Sequence, residues 1–137
     1  MKNAIIVADD SMIIKNIIEK SLGEDYTVLK ASNGKEAINI ITSNREYNII
    51  GMLLDLNMPE YDGFMVLNYF KNNNLFRKYP ICIISGDDTK ETISKAFSYD
   101  IVDMLNKPFS KANVECIVEK MLSRKDWCVL FYEFGLT

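Results

Sequence analysis

The feature that most constrains this chain is an alternation of two patterns. Short apolar runs, rich in β-branched residues, lie at Ala4 to Ala8, Tyr26 to Leu29, Ile49 to Leu54, Ile81 to Ile84 and Val102 to Leu105. They have strand length and are apolar enough for burial on both faces. Between and after them, apolar residues recur three and four apart: Ile13, Ile14, Ile17, Ile18 and Leu22; Ala37, Ile38 and Ile41; Phe64, Leu67 and Phe70; Ile93, Ala96 and Phe97; Val114, Ile117, Val118 and Met121. That spacing draws one apolar stripe down a helix. The pattern predicts an α/β fold: a single doubly wound (βα)5 domain, with five parallel strands, right-handed crossovers and helices on both faces.

Length and composition agree with one self-sufficient core. At 137 residues, 48% hydrophobic and 26% charged, the chain excludes disordered and fibrous classes. A net charge of −3 argues against direct nucleic-acid binding, which needs a basic face. The longest nearly apolar stretch, Ile49 to Leu54, falls far short of the ~20 residues of a membrane span. The first ten residues hold too short an apolar run for a secretory signal. Cys82, Cys116 and Cys128 are widely spaced and odd in number, which fits reduced thiols and a cytoplasmic location. There is no histidine, so chemistry must rest on carboxylates, hydroxyls and lysine.

In open parallel sheets, ligands gather at the carboxyl ends of the strands. The first run ends in Asp9-Asp10-Ser11, residues that either cap the next helix or hold a metal. The third ends in Asp55-Leu56-Asn57-Met58-Pro59, where Asp55 is either a desolvated functional acid or the start of a surface loop. The fourth ends in Ser85-Gly86 and the fifth in Asn106-Lys107-Pro108, each unspecific alone. Their convergence is informative: three acids, a hydroxyl and an amine share one sheet edge. Such an oxygen-rich set suits Mg²⁺ and a phosphate.

With Asp9-Asp10, Asp55 within Asp55-Leu56-Asn57-Met58-Pro59, Asp62-Gly63, Ser85 and Lys107-Pro108 in this order, the chain resembles the receiver domains of two-component response regulators over Ala4 to about Leu122. The resemblance implies strand order 2-1-3-4-5, and it implies a phosphoryl-accepting switch rather than an enzyme. Asp55 would accept a phosphoryl group from the phosphohistidine of a sensor histidine kinase or a phosphotransfer protein. Asp10 and Asp55 would bind Mg²⁺ (or Mn²⁺) directly, Asp9 through water and Asn57 through its backbone carbonyl. Lys107 and Ser85 would contact phosphoryl oxygens, and the Lys107–Pro108 bond is often cis in the family. Asn57 and Asp87 would flank the path of a hydrolytic water. The surface of helix four, strand five and helix five would report the state to an effector or a homodimer partner.

Three departures and rivals complete the reading. Met104 stands three residues before Lys107, where the family commonly has an aromatic, and is read as core filler. A haloacid-dehalogenase-like phosphatase would place its metal acids after the lysine and an acid where Asn57 stands. A degenerate receiver acting only as a binding module would have lost residues that are present here. Domain bounds of 1–122 for the receiver and 123–137 for an aromatic-rich tail follow. Trp127, Leu130, Phe131 and Phe134 of that tail share a helical stripe, expected to be a helix extension, a dimer contact or the stub of a linker.

Overall fold

The computed structural model describes the backbone of residues 1–134 and the side chains of residues 1–124. Elements alternate as the pattern predicts: β1 (Lys2–Ala8), α1 (Met12–Leu22), β2 (Thr27–Ala31), α2 (Gly34–Ser43), β3 (Tyr47–Asp55), α3 (Gly63–Asn72), β4 (Ile81–Ser85), α4 (Lys90–Phe97), β5 (Asp103–Asn106) and α5 (Lys111–Phe134). The sheet is parallel throughout, in the order β2-β1-β3-β4-β5.

Successive strand residues point to opposite faces, so each strand feeds two cores. On one face Ile6, Ala8, Met52, Leu54, Ile81 and Ile83 pack with α2, α3 and Ala96 of α4. On the other, Ile5, Val7, Leu53, Cys82 and Ile84 meet Ile18 and Leu22 of α1 and Val114, Ile117, Val118 and Met121 of α5. β3 lies between two strands and is buried from Ile49 through Asp55, which is why its sequence is apolar without alternation.

Some expectations shift. The second strand begins and ends later than Tyr26 to Leu29, because pairing with β1 continues through Lys30 and Ala31. As an edge strand it has three half-buried positions and an exposed Lys30 before Ala31, so apolarity marks its ends poorly. The α1 stripe is also narrower than its isoleucines suggest. Ile18 and Leu22 are buried, but Ile13 is 72% and Ile17 44% exposed, alongside an exposed Met12. Lys15 takes the inward position instead, buried with its Nζ donating to Ser32 Oγ at 2.8 Å. Helix α4 differs likewise: Ala96 is buried, Ile93 is half-buried and Phe97 faces outward. The α5 helix runs on past Leu122, but the side chains of Trp127, Leu130, Phe131 and Phe134, and with them the tail contact, lie outside the described residues.

Candidate functional site

Register brings the strand-end residues together. Ala8 pairs with Leu54, Asp55 with Ile84, and Ser85 with Asn106, so Asp9, Asp55, Ser85 and Lys107 leave the sheet at one edge. The ladder extends one step further, with the Lys107 amide donating to the Ser85 carbonyl at 2.8 Å. The Lys107–Pro108 peptide bond is cis.

The capping question at Asp9-Asp10-Ser11 resolves by geometry. Ser11 is the N-cap of α1, its Oγ accepting from the Ile14 amide at 3.3 Å. Asp9 is fully buried, and its Oδ1 accepts from the Ser11 amide at 2.8 Å, which orients the carboxylate toward the site. Asp10 is exposed and makes no hydrogen bond or ion pair among the described residues. Neither acid is the cap, so both remain available.

Asp55 is 3% exposed, and one carboxylate oxygen each from Asp9, Asp10 and Asp55 falls within 4.8 Å of the others. Lys107 Nζ stands 2.9 Å from Asp9 Oδ2 and 3.5 Å from Asp55 Oδ2. Its approach to Asp9 Oδ2 is close but misaligned, leaving that buried oxygen in an ion pair without a hydrogen bond. Burial, followed by the neighbouring Asp9 charge, pushes the Asp55 carboxyl up to about 6, with Lys107 and the Asn57 amide offsetting part of the rise. Burial alone would lower the Lys107 ammonium, but its contacts with Asp9 and Asp55 outweigh that and raise it. Three clustered acids, two of them buried, lack positive charge with only one ammonium beside them, and a buried carboxylate oxygen without a donor is costly. The donor set is all oxygen, with room for water beside exposed Asp10, and these residues fit a hard divalent cation.

The loop after β3 is drawn tightly against the site. The Asn57 amide donates to Asp55 Oδ1 at 3.3 Å and the Gly63 amide to the Leu56 carbonyl at 3.1 Å. A Cβ at Gly63 would lie 2.5 Å from the Asp55 carbonyl oxygen and 2.7 Å from Leu56 Cα, so only glycine fits at the start of α3. Ser85 is fully buried, its Oγ accepting from the Asp87 amide at 3.0 Å and donating to the Asp87 carbonyl at 3.3 Å. Met104 is half-buried against the α2–α3–α4 core, as a filler would be.

A family model for the response regulator receiver domain matches residues 5–119. The chain belongs to the response regulator receiver domain family. Proteins of this family are signalling switches of two-component systems. Among curated relatives, the Two-component response regulator ORR7 of Oryza sativa subsp. japonica is 29% identical over 86% of this chain and 56% of its own length. The Transcriptional regulatory protein SrrA of Staphylococcus aureus is 30% identical over 90% of this chain and 49% of its own. A probable cyclic di-GMP phosphodiesterase of Vibrio cholerae is 30% identical over 88% of this chain but only 27% of its own length. The chain thus spans about half or less of these relatives. Among solved structures, the signal receiver domain of a Luxo repressor protein from Vibrio parahaemolyticus superposes with a TM-score of 0.83 at 19% identity, covering 95% of this chain and 97% of that one. A Francisella response regulator receiver domain gives 0.77 at 28% identity, covering 90% and 98%. The receiver fold is therefore this chain's fold. Among the described residues, no helix is long and apolar enough to cross a membrane.

One part of the site escaped the sequence reading. Thr89 and Thr92, at the start of α4, hold the carboxylate of Asp87 and so stand one residue away from Ser85. A hydroxyl three residues after an N-cap threonine was the signal present in the sequence.

Proposed function

We propose that this receiver is a phosphoacceptor switch whose acceptor is Asp55. The observation that carries the reading is the convergence of Asp9, Asp10 and Asp55 within 4.8 Å, with Lys107 reaching two of them. The Asp55 carboxylate attacks phosphorus of a donor phosphohistidine, an O–P bond forms, the N–P bond breaks, and the imidazole nitrogen leaves with the electron pair. With no histidine of its own, the chain takes the group from a sensor histidine kinase, a phosphotransfer protein or a small acyl phosphate.

Mg²⁺ (or Mn²⁺), held by Asp10, Asp55 and the Asn57 carbonyl with Asp9 reached through water, would supply positive charge against the phosphoryl oxygens. Lys107 supplies a second positive charge, a charge-assisted donor already aimed at Asp55. The Ser85 hydroxyl donates to another phosphoryl oxygen. Lys107 stands between the Asp9 and Asp55 carboxylates, and its charge offsets part of the cost of ionising the acceptor beside a second acid.

The new charge at the strand end moves the loops carrying Ser85 and Lys107, and the surface of α4, β5 and α5 presents the change to an effector or a second copy of the chain. Residues 1–122 form this receiver, and 123–137 extend from it. The site operates in the cytoplasm without contacting nucleic acid or membrane.

The test is incubation with Mg²⁺ and acetyl phosphate, read by intact mass. One phosphoryl group should be added, and Asp55→Asn should abolish the addition. Asp10→Ala should weaken Mg²⁺ binding by losing a direct carboxylate. Equal labelling of Asp55→Asn would overturn the assignment.

A further inference from the structure

Helix α4 is tied to the site through a chain of side-chain hydrogen bonds that the phosphoacceptor chemistry does not use. Thr89 Oγ1 donates to Thr92 Oγ1 at 3.0 Å, and Thr92 Oγ1 donates to Asp87 Oδ2 at 2.8 Å. The other carboxylate oxygen, Asp87 Oδ1, accepts from the Thr89 amide at 2.9 Å. Bonds from the Thr89 amide, then from the Thr92 and Thr89 side chains, hold the Asp87 carboxyl below its ordinary range. The backbone of the same residue grips Ser85 from both sides: its amide donates to Ser85 Oγ at 3.0 Å and its carbonyl accepts from that hydroxyl at 3.3 Å.

We infer that Thr92 is a positioning residue: through Asp87 it parks the Ser85 hydroxyl on the Asp87 carbonyl, and it sets how readily that hydroxyl turns to a phosphoryl group on Asp55. The geometry gives the direction. The bond that must break for Ser85 to turn is the longest of the set, so its barrier depends on how firmly Asp87 is held. Hydroxyls in series onto a carboxylate polarise one another, so removing the Thr92 hydroxyl takes away the bond to Asp87 Oδ2 together with the support that Thr89 Oγ1 gives it, and leaves the Asp87 carboxylate held by Thr89 alone. Because α4 has Ala96 as its buried residue, the carboxylate is also a principal anchor of its first turn. Coupling of this kind is reciprocal: a phosphoryl group that draws Ser85 away loosens the start of α4, and a partner that grips α4 changes the availability of Ser85. With Met104 where an aromatic lever would stand, this clasp links Ser85 to α4 through hydrogen bonds.

The inference rests on the phosphoacceptor reading, and its test separates the two. Thr92→Val removes the hydroxyl at constant shape, and Thr92→Ser restores it. Labelling of Asp55 by acetyl phosphate with Mg²⁺ should become about fivefold faster in Thr92→Val and return to the parent rate in Thr92→Ser. In a Ser85→Ala background, Thr92→Val should have no further effect, since nothing is left to position. An unchanged rate, or the same acceleration with and without Ser85, would overturn the inference. If the parent protein takes no label, the phosphoacceptor reading fails by itself. Exchange of the Thr89 amide hydrogen, measured without metal or phosphate, then decides the clasp. It should be about tenfold faster in Thr92→Val than in the parent and Thr92→Ser proteins, and equal exchange in all three would refute it.

Discussion

Helices α3 and α4 lie on the same face of the sheet and are held by opposite means. The first buries Gly63, Val66, Leu67 and Phe70; the second buries Ala96. Each large apolar side chain removed from water is worth about 1.5–3 kcal/mol, so α3 is fixed by its core contacts. What retains α4 is mostly polar and peripheral: the Asp87–Thr92 bond at its start and the Lys95 ammonium 4.0 Å from the centre of the Phe64 ring. A cation over an aromatic ring at such a surface contributes about 0.5–1 kcal/mol. The contrast teaches where a signal can travel. A helix whose ties are individually weak and directional can be repositioned by one charge, and a helix seated in the core cannot.

The largest effect should come from cutting α3 loose. Phe70 is fully buried, with ring centroids 5.5 Å from Phe76 and 6.4 Å from Tyr79. Phe70→Ala should cost about 3–5 kcal/mol of unfolding free energy, measured by urea titration. A loss below about 1 kcal/mol would erase the distinction between the helices.

Gly63→Ala comes next, because the added carbon meets the backbone of Asp55 and Leu56 and no flexible side chain can give way. A destabilisation of about 1–3 kcal/mol is expected, together with slower labelling of Asp55. Stability loss with unaltered labelling would show that α3 anchors the fold without holding the site.

The acceptor itself should behave in the opposite sense. Its carboxyl is pushed up to about 6 from an ordinary value near 3.8, so ionising Asp55 weakens the metal-free fold. Stability from this group is fully present below the unfolded value and is lost as pH rises through about 6. Asp55→Asn should therefore stabilise the metal-free protein by about 1–2 kcal/mol at neutral pH, after discounting for solvent at the open edge. The gain should vanish below about pH 4, where both side chains are neutral. Thermal melts across that range, with and without Mg²⁺, measure it.

The smallest effect should be on α4. Phe97 is 49% exposed, and Phe97→Ala should change unfolding free energy by less than about 0.5 kcal/mol. Hydrogen exchange should find α4 amides opening more readily than those of α3.

The sheet was legible in the sequence because buried parallel strands leave continuous apolar runs, and Asp9, Asp10, Asp55 and Lys107 were legible because each lies within two residues of the end of such a run. What stayed hidden depended on direction. Ile13 and Ile17 read as core by type, yet the helix turns them outward and points Lys15 in, which no spacing rule built on apolar residues can foresee. The Asp87–Thr92 clasp stayed hidden despite the spacing of Thr89 and Thr92, since hydroxyls and acids before a short helix look like solvated loop until their hydrogen bonds are seen. The shift of β2 to Thr27–Ala31 came from edge pairing, which tolerates an exposed Lys30.

Lys15 carries a practical corollary. Among the described residues it is the lysine sealed inside the fold, 1% exposed, with its Nζ turned to Ser32. An acylating reagent meets every outward amine at once but reaches this one only when α1 lifts from the sheet. Its slow modification is thus a built-in clock for opening events, readable by peptide mass mapping without any added label or engineered probe.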